Sequence, residues 1–182
     1  MSKNLACVLH GKNDLRIEEC EMPVPKAGQL LIKVHTVGIC GTDVHFWTHG
    51  KIGSLEPKKP MIMGHECSGV IAGIGSDVKD FALGDRVALE PGIACRKCSF
   101  CKHGRYNLCH EMEFFALPPT DGLITDAYFR IPDSMSMEEA SFLEPFSVGL
   151  HACRNANIEI GDKVLVLGAG QITINQLTYL IK

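Results

Sequence analysis

The chain has 182 residues, 46% of them hydrophobic and 21% charged, and a formal net charge of −3 at pH 7. These values are typical of a globular protein with one complete domain and part of a second. The sequence has no basic stripe that could neutralise a nucleic-acid backbone, and no apolar run long enough to cross a bilayer. We therefore expect neither a nucleic-acid partner nor a membrane.

Nine cysteines are present, and residues 1–14 show no basic and apolar signal segment followed by a small-residue cleavage site. Without export the thiols stay reduced, so clustered cysteines are expected to bind metal rather than to form disulfides. We expect a cytoplasmic protein. A disulfide framework remains the alternative, since nine cysteines could form one in an oxidising compartment.

Short strands separated by turns occupy the first ninety residues. Alternating or continuous apolar residues predict strands at 15–20, 29–37, 69–75 and 86–89. The third of these has Gly73 in its middle and glycine at both ends, which is typical of a bulged or tightly curved strand. The pattern predicts a compact β-barrel or sandwich.

Four cysteines then fall within fifteen residues, at Cys95, Cys98, Cys101 and Cys109. Two-residue gaps let successive sulfurs point at a common centre, and the longer return closes the tetrahedron that Zn²⁺ takes with four thiolates. This lobe is too poor in core residues to fold without its metal. A closed four-sulfur site leaves no position for a substrate, so we predict a structural zinc.

Two helices are expected after this lobe. Ser136 followed by Glu139 matches a capping box, and Pro145 is typical of the first turn of a second helix through Arg154.

The pattern of apolar residues and glycines changes after residue 160. An apolar run at 163–167 ends in Gly168-Ala169-Gly170, and apolar residues then recur at helical spacing. Strand, glycine turn and helix in this order open a doubly wound nucleotide-binding domain.

Three separated patches could supply a second, different metal site. Cys40 lies in Gly38-Ile39-Cys40-Gly41-Thr42-Asp43, His65 and Glu66 follow Gly64, and Glu144 precedes Pro145. A thiolate, an imidazole and one or two carboxylates form a zinc site that can keep a position open for water or substrate. Each residue alone has a plainer explanation, such as a buried thiol or a helix-start carboxylate. The prediction depends on their occurring together.

These motifs, in this order, resemble those of the zinc-dependent medium-chain alcohol dehydrogenases. Further motifs resemble the sorbitol (polyol) dehydrogenase branch, and the likeness covers nearly all of residues 4–170. They are His45-Phe46-Trp47, Glu90-Pro91-Gly92, Gly104-Arg105-Tyr106-Asn107-Leu108-Cys109, Phe114-Phe115-Ala116 and Glu144-Pro145.

The resemblance implies an α+β fold leading into α/β. A GroES-like β-barrel catalytic domain would occupy residues 1–146, with the zinc lobe at 95–109. The first βα unit of a Rossmann domain would follow at 147–182.

The resemblance also implies roles for individual residues. Cys40, His65 and Glu66 would bind the catalytic zinc, with Glu144 bound directly or through water, and the choice between the two glutamates stays open. Asp43 would orient the His65 ring, and Thr42 would accept or relay the proton of the zinc-bound oxygen. Phe46, Phe114 and Phe115 are candidates for the pocket lining, with core packing as the alternative. Gly168 and Gly170 would approach the NAD cofactor.

The implied chemistry is oxidation of a small sugar alcohol such as sorbitol or xylitol to a ketose, with hydride transfer to NAD. Relatives of this branch are homo-oligomers, so an oligomer is an expectation for this chain too.

Three departures from the family pattern bear on activity. The segment 121–132 is shorter than its counterpart, and Thr173 replaces the third glycine of the cofactor turn, which should push the helix outward or tilt it. The sequence also stops at Lys182, before the acidic residue expected about twenty residues beyond the turn. We therefore expect zinc binding without tight NAD binding or measurable polyol oxidation.

Two interpretations stay open: a fragment or altered product of a polyol dehydrogenase, or a zinc-binding structural or interaction protein without turnover. A redox sensor built on the clustered thiols ranks behind both.

Overall fold

The computed structural model describes residues 3–122 and 128–180. Its strands are β1 (Leu5–Gly11), β2 (Asp14–Glu19), β3 (Leu30–Gly38), β4 (Met61–Ile62), β5 (Glu66–Ile74), β6 (Arg86–Leu89), β7 (Gly92–Ile93), β8 (Glu113–Phe114) and β9 (Tyr128–Arg130). Its helices are α1 (Gly41–His49), α2 (Ser99–Lys102), α3 (Met137–Ser141), α4 (Leu143–Asn155) and α5 (Gln171–Leu180), with a 3-10 turn at Tyr106–Leu108.

The strands form two main sheets and a small ribbon, all antiparallel. One sheet has the order β2-β1-β4, the larger has the order β3-β5-β6-β9, and β7 pairs with β8 at the base of the cysteine lobe. The four predicted strands are confirmed as β2, β3, β5 and β6. Strand β1, helix α1 and the short strands β4, β7, β8 and β9 were not predicted.

The pairing of β3 with β5 positions the candidate site. Leu31 faces Gly73 while Ile32 faces Ile71, so Ala72 is left over as a bulge, beside the glycine that predicted one. The ladder runs on to a final pair of Gly38 with Glu66. Two sequence patches that lie far apart along the chain therefore meet at one end of this strand pair.

Buried side chains lie on both faces of the larger sheet. One cluster is formed by Leu30, Cys67, Ile71, Val87 and Leu89. A second joins Ala88 of the sheet to residues around α3, namely Ile131, Met137 and Ala140. The fully buried Ser68 donates a hydrogen bond of 2.6 Å to the Met137 carbonyl, which fixes α3 on β5. A third cluster, of Leu9, Phe46, Met61 and Met63, holds α1 against the smaller sheet.

The predicted helix starts are confirmed. The Glu139 amide donates to Ser136 Oγ at 3.1 Å, and the Ser136 amide donates to Glu139 Oε2 at 2.7 Å, which is the reciprocal capping box. Pro145 lies in the first turn of α4, where its missing N–H costs no intrahelical hydrogen bond.

The strand predicted at 163–167 is not formed. Residues 162–169 have no regular structure, and Leu165 and Leu167 are 81% and 83% exposed. A strand needs a neighbour to pair its backbone groups, and within residues 3–122 and 128–180 no strand lies beside this segment. Of the expected βα unit, only the glycine turn and the helix α5 are present.

The proposed domain boundary between residues 146 and 147 falls inside α4, which is continuous there, and the division into two domains stays a prediction. The shortened segment has its middle, residues 123–127, outside the described residues, while β9 behind it pairs with β6. Among the described residues, no helix is both long and apolar enough to cross a membrane.

Candidate metal centres

The four cysteines of the lobe converge on one point. Their sulfur atoms all lie within 4.8 Å of one another, with Cys98 Sγ 3.5 Å and Cys95 Sγ 4.0 Å from Cys101 Sγ. Zn–S bonds of about 2.3 Å at tetrahedral angles place sulfurs roughly 3.8 Å apart. The observed separations bracket that value, so the donor set fits a four-thiolate zinc.

Backbone amides in the lobe point at these sulfurs. The Cys98 amide donates to Cys95 Sγ, and the Cys95 amide donates to Cys109 Sγ, each at 3.4 Å. Hydrogen bonds from the amides of Lys97 and Cys98 lower the pKa of the Cys95 thiol to about 7. Such bonds favour the thiolate form that a metal requires.

The second constellation also comes together. One ligand atom each from Cys40, His65 and Glu66 lies within 4.8 Å of the others, and His65 and Glu66 are only 4% and 2% exposed. Cys40 precedes α1, whereas His65 and Glu66 stand at the start of β5, and the β3–β5 pairing joins the two. Bonds of about 2.0–2.3 Å from one zinc ion could span this spacing after a small closure.

Asp43 links the start of α1 to the histidine. Its Oδ2 accepts a hydrogen bond of 3.0 Å from the Cys40 amide. Its Oδ1 stands 3.7 Å from His65 Nδ1, and neither of these buried atoms has a hydrogen-bond partner among the described residues. A slight approach would let Nδ1–H donate to Asp43 and leave Nε2 free to bind a metal, which is the predicted orienting role.

Glu66 lies in a recess that only glycine leaves open. A Cβ built on Gly38, its cross-strand partner, would stand 3.0 Å from Glu66 Cβ and overlap its carboxyl. Burial raises the pKa of Glu66, and burial likewise raises the pKa of Cys40, against the hydrogen bonds from Thr42 that lower it. Buried thiol, imidazole and carboxyl groups in one place fit a site that takes a cation.

Glu144 stands outside the tight group of three but faces it. Burial raises the pKa of Glu144, the nearby Glu66 and Asp43 raise it further, and His65 lowers it. Of the two glutamates left open by the sequence, Glu66 is the one whose carboxyl lies among the other ligand atoms.

The structure separates the three candidate pocket aromatics. Phe114 is half-buried and meets the His65 ring edge-on, with the ring centroids 5.8 Å apart. Phe46 is 0% exposed within the Leu9, Met61 and Met63 cluster, and Phe115 is 1% exposed. Both rings therefore pack in the core, the alternative that the sequence left open, and their role in a pocket stays a prediction.

Gly168 and Gly170 lie on the exposed turn before α5. Gly168 has φ +131°, a conformation that favours glycine, and a Cβ there would stand 2.5 Å from Thr173 Oγ1. Thr173 therefore fits against the turn because Gly168 has no side chain.

One residue of the site was not predicted from the sequence: Gly38, whose missing side chain leaves the recess for Glu66. Gly38 could have been found by pairing the two predicted strands.

Known proteins are similar to this chain in sequence and in fold. The profile of the alcohol dehydrogenase GroES-like domain matches residues 26–138. The chain is 47% identical over 182 residues to sorbitol dehydrogenase from Bos taurus, covering 96% of this chain and 51% of that protein. It therefore spans about half the length of the curated relatives it matches.

Two solved structures superpose closely on the chain. A putative zinc-binding dehydrogenase from Sinorhizobium meliloti 1021, bound to NADP, matches with a TM-score of 0.86 and 32% identity over 99% of this chain and 54% of its own. Galactitol-1-phosphate dehydrogenase from Escherichia coli matches with a TM-score of 0.86 and 28% identity over 98% and 52%. Because the alcohol dehydrogenase GroES-like domain covers more than half of it, the chain belongs to the family of zinc-dependent medium-chain dehydrogenases, and it is similar to sorbitol dehydrogenases of that family.

Proposed function

We propose that this chain carries the metal-binding part of a polyol dehydrogenase, which oxidises a secondary hydroxyl of a sugar alcohol to a ketone with NAD as acceptor. The observation that carries the proposal is the convergence of Cys40, His65 and Glu66, with Glu144 beside them, next to a separate four-cysteine centre. The 47% identity to a sorbitol dehydrogenase supports the substrate class.

The two candidate centres would have different roles. Cys95, Cys98, Cys101 and Cys109 would hold a structural zinc, because four thiolates leave no position for a substrate. Cys40, His65 and Glu66 offer three ligands, the number that leaves a fourth position open. A zinc ion held by them would act as a Lewis acid that lowers the pKa of a substrate hydroxyl.

The protein's own residues prepare this position. Asp43 would fix the His65 ring by accepting from Nδ1, and the recess at Gly38 keeps the Glu66 carboxyl pointing at the cysteine and histidine. The raised pKa of Glu144 makes its carboxyl a group that can hold a proton near the reacting hydroxyl. Thr42, two residues after Cys40 and in the first turn of α1, is the candidate for passing a proton towards solvent.

The lining of this region suits an oxygen-rich substrate. Carboxylates accept hydrogen bonds from several hydroxyl groups at once, whereas the half-buried Phe114 ring beside His65 offers an apolar wall for the carbon chain. The cofactor would approach from the exposed Gly168-Ala169-Gly170 turn and the N-terminus of α5, where backbone amides favour a pyrophosphate.

Metal analysis and turnover together test the proposal. The purified chain should contain two zinc ions, and joined to the complete cofactor domain of a sorbitol dehydrogenase it should form NADH with sorbitol or xylitol but not with ethanol. A folded chain with zinc only in the cysteine lobe would contradict the proposed reacting centre.

A second candidate function is a zinc-binding protein without turnover. It is favoured by the unpaired segment 162–169, which leaves the cofactor side of the described structure without a sheet. Two zinc ions per chain without micromolar NAD binding by calorimetry would support it. The predicted cytoplasmic location and homo-oligomer stay predictions.

A further inference from the structure

Helix α1 carries two exposed histidines, His45 and His49, whose spacing of four residues places them on the same side of the helix. Their ring centroids are 5.4 Å apart. Metal–nitrogen bonds of about 2.0–2.1 Å place a shared ion roughly 3.2 Å from each centroid, and two imidazoles at the tetrahedral angle then have centroids roughly 5.2 Å apart. The observed separation is close to that of a pair bound to one ion.

The neighbouring Thr48 determines which nitrogen of His49 is free. Its hydroxyl donates a hydrogen bond of 2.7 Å to the Val44 carbonyl, and its oxygen lies 2.8 Å from His49 Nδ1. Because the hydroxyl has one proton and gives it to Val44, the oxygen can only accept a hydrogen bond from Nδ1. Nδ1 therefore carries the ring proton, and Nε2 keeps the lone pair that a metal ion requires. The same hydrogen bond fixes the orientation of the ring.

The core holds this part of α1 in place. Phe46, which follows the first histidine, is 0% exposed and packs against Leu9, Met61 and Met63. The last turn is closed by the Gly50 amide, which donates to the Phe46 carbonyl at 2.9 Å. Both histidines therefore stand on an ordered turn, so binding an ion requires little further ordering of the backbone.

Two imidazoles form an open site. Within residues 3–122 and 128–180, no cysteine, carboxylate or further histidine completes a group of three ligands with this pair. Water would fill the remaining positions, so the ion would exchange more easily than one held by four thiolates. A cleft beside His49 is also lined by charged side chains, those of Lys12, Lys51 and Glu56. These side chains are exposed, and water and salt screen their charges, so the two nitrogens determine the affinity.

We propose that His45 and His49 form a third metal site, which takes an exchangeable divalent transition-metal ion such as Zn²⁺, Ni²⁺ or Cu²⁺, and that Thr48 is its positioning residue. Imidazole nitrogen is a suitable ligand for all three ions. The site shares no ligand with the two candidate centres, so it does not depend on the proposed function. An ion bound there would join the ends of the last turn of α1 and stabilise the folded chain by mass action.

Nickel(II) titration by calorimetry tests the site in the chain that has been loaded with zinc and freed of excess metal by gel filtration. His45→Gln and His49→Gln should each weaken nickel binding by more than about 10-fold, because a lost ligand costs more than a lost orienting group. Glutamine has a higher helix propensity than histidine, so both variants should fold. Equal nickel affinity in His45→Gln and the unaltered chain would overturn the proposal.

His35→Gln is the matched control. His35 is exposed and its Nδ1 lies 3.0 Å from Thr36 Oγ1, but it belongs to strand β3 rather than to a pair on a helix. This variant should bind nickel as the unaltered chain does. A loss as large as that in His45→Gln would show that nickel binds to single surface histidines, and it would overturn the site.

The role of Thr48 has its own test. Thr48→Val removes the hydroxyl at nearly unchanged volume and should weaken nickel binding about 10-fold, whereas Thr48→Ser should retain the affinity. Unchanged nickel affinity in Thr48→Val would refute the positioning role.

Cobalt(II) titration of the metal-stripped variants tests whether the other centres are disturbed. Its thiolate absorption bands distinguish the one-thiolate site at Cys40 from the four-thiolate site of the lobe. Both sites should keep their cobalt affinity in His45→Gln and His49→Gln. A matching loss at the one-thiolate site would assign the nickel result to a displaced α1 and overturn the histidine pair.

Discussion

Replacing Gly38 by alanine tests the recess that holds Glu66. A methyl group at this position would lie 3.0 Å from Glu66 Cβ and 3.3 Å from Cδ, and it would overlap Oε2. Carbon atoms pack best at about 3.5–4.0 Å, so the carboxyl must turn away or the end of the β3–β5 ladder must open. Gly38 does not have a positive φ, which means that alanine brings no backbone strain of its own.

The substitution should cost little folding stability but much of the metal affinity at the candidate site. Overpacking of this kind costs about 1–3 kcal/mol, less than the roughly 5–15 kcal/mol that stabilises a typical domain, so the chain should still fold. Metal affinity at Cys40, His65 and Glu66 should nevertheless fall by about 10–100-fold, the range for disturbing groups that orient a metal site. The four-cysteine centre, on a separate lobe, should be unaffected.

Denaturant unfolding and cobalt titration of the same samples provide the assay. Gly28→Ala is the matched control, since a Cβ at Gly28 meets nothing within 4 Å. It should leave both metal affinities unchanged and alter stability by less than about 1 kcal/mol. Unaltered cobalt binding at the one-thiolate site of Gly38→Ala would refute the geometry from which this prediction is derived.

Three further predictions concern metal content and pH. Cys98→Ser should lose the zinc of the lobe alone and destabilise residues 95–109, and unchanged zinc content by elemental analysis would rule out that centre. Burial raises the pKa of the Cys67 thiol from 9.0 to about 12. Below pH 9 the thiol is protonated in both the folded and the unfolded chain. Above pH 9 only the unfolded chain loses this proton, which favours unfolding and lowers stability. Between pH 7 and pH 10 the free energy of unfolding of the unaltered chain should fall by about 1.4 kcal/mol more than that of Cys67→Ala. An equal change in both proteins would contradict this prediction. Burial raises the pKa of the Glu144 carboxyl, so the melting temperature of the metal-free chain should fall as the pH rises above the pKa that Glu144 has in the unfolded chain. Glu144→Gln should reduce this fall, because glutamine carries no ionisable proton. An equal fall in melting temperature for the variant and the unaltered chain would contradict the buried position of Glu144.

Local signals were sufficient for much of the fold and of the ligand set. Alternating or continuous apolar residues identified β2, β3, β5 and β6, the Ser136–Glu139 pair identified the start of α3, and cysteine spacing identified a lobe whose sulfurs do converge. In each of these cases the cause of the structure lies within a few neighbouring residues.

The failures have their cause elsewhere in the molecule. The apolar run at 163–167 has strand-like composition, but a strand exists only where another strand pairs with it. Phe46 stands near Cys40 in the sequence, and its ring packs in the core with Leu9 and Met61, a choice between pocket and core that the local sequence left open.

The two candidate centres differ in how much of the chain must be ordered before they exist. The lobe cysteines are neighbours in sequence, and loops of about ten residues close in roughly 10–100 ns, so an unfolded chain can already collect these four sulfurs around an ion. Cys40 and Glu66 meet only when the pairing of β3 with β5 is complete up to its last pair. Glu144 additionally requires that α4 has packed against β5. Newly made protein should therefore capture its first zinc before it folds and its second only afterwards. Cobalt added in urea would then produce the four-thiolate bands at once, and the one-thiolate bands would follow the rate of refolding on dilution.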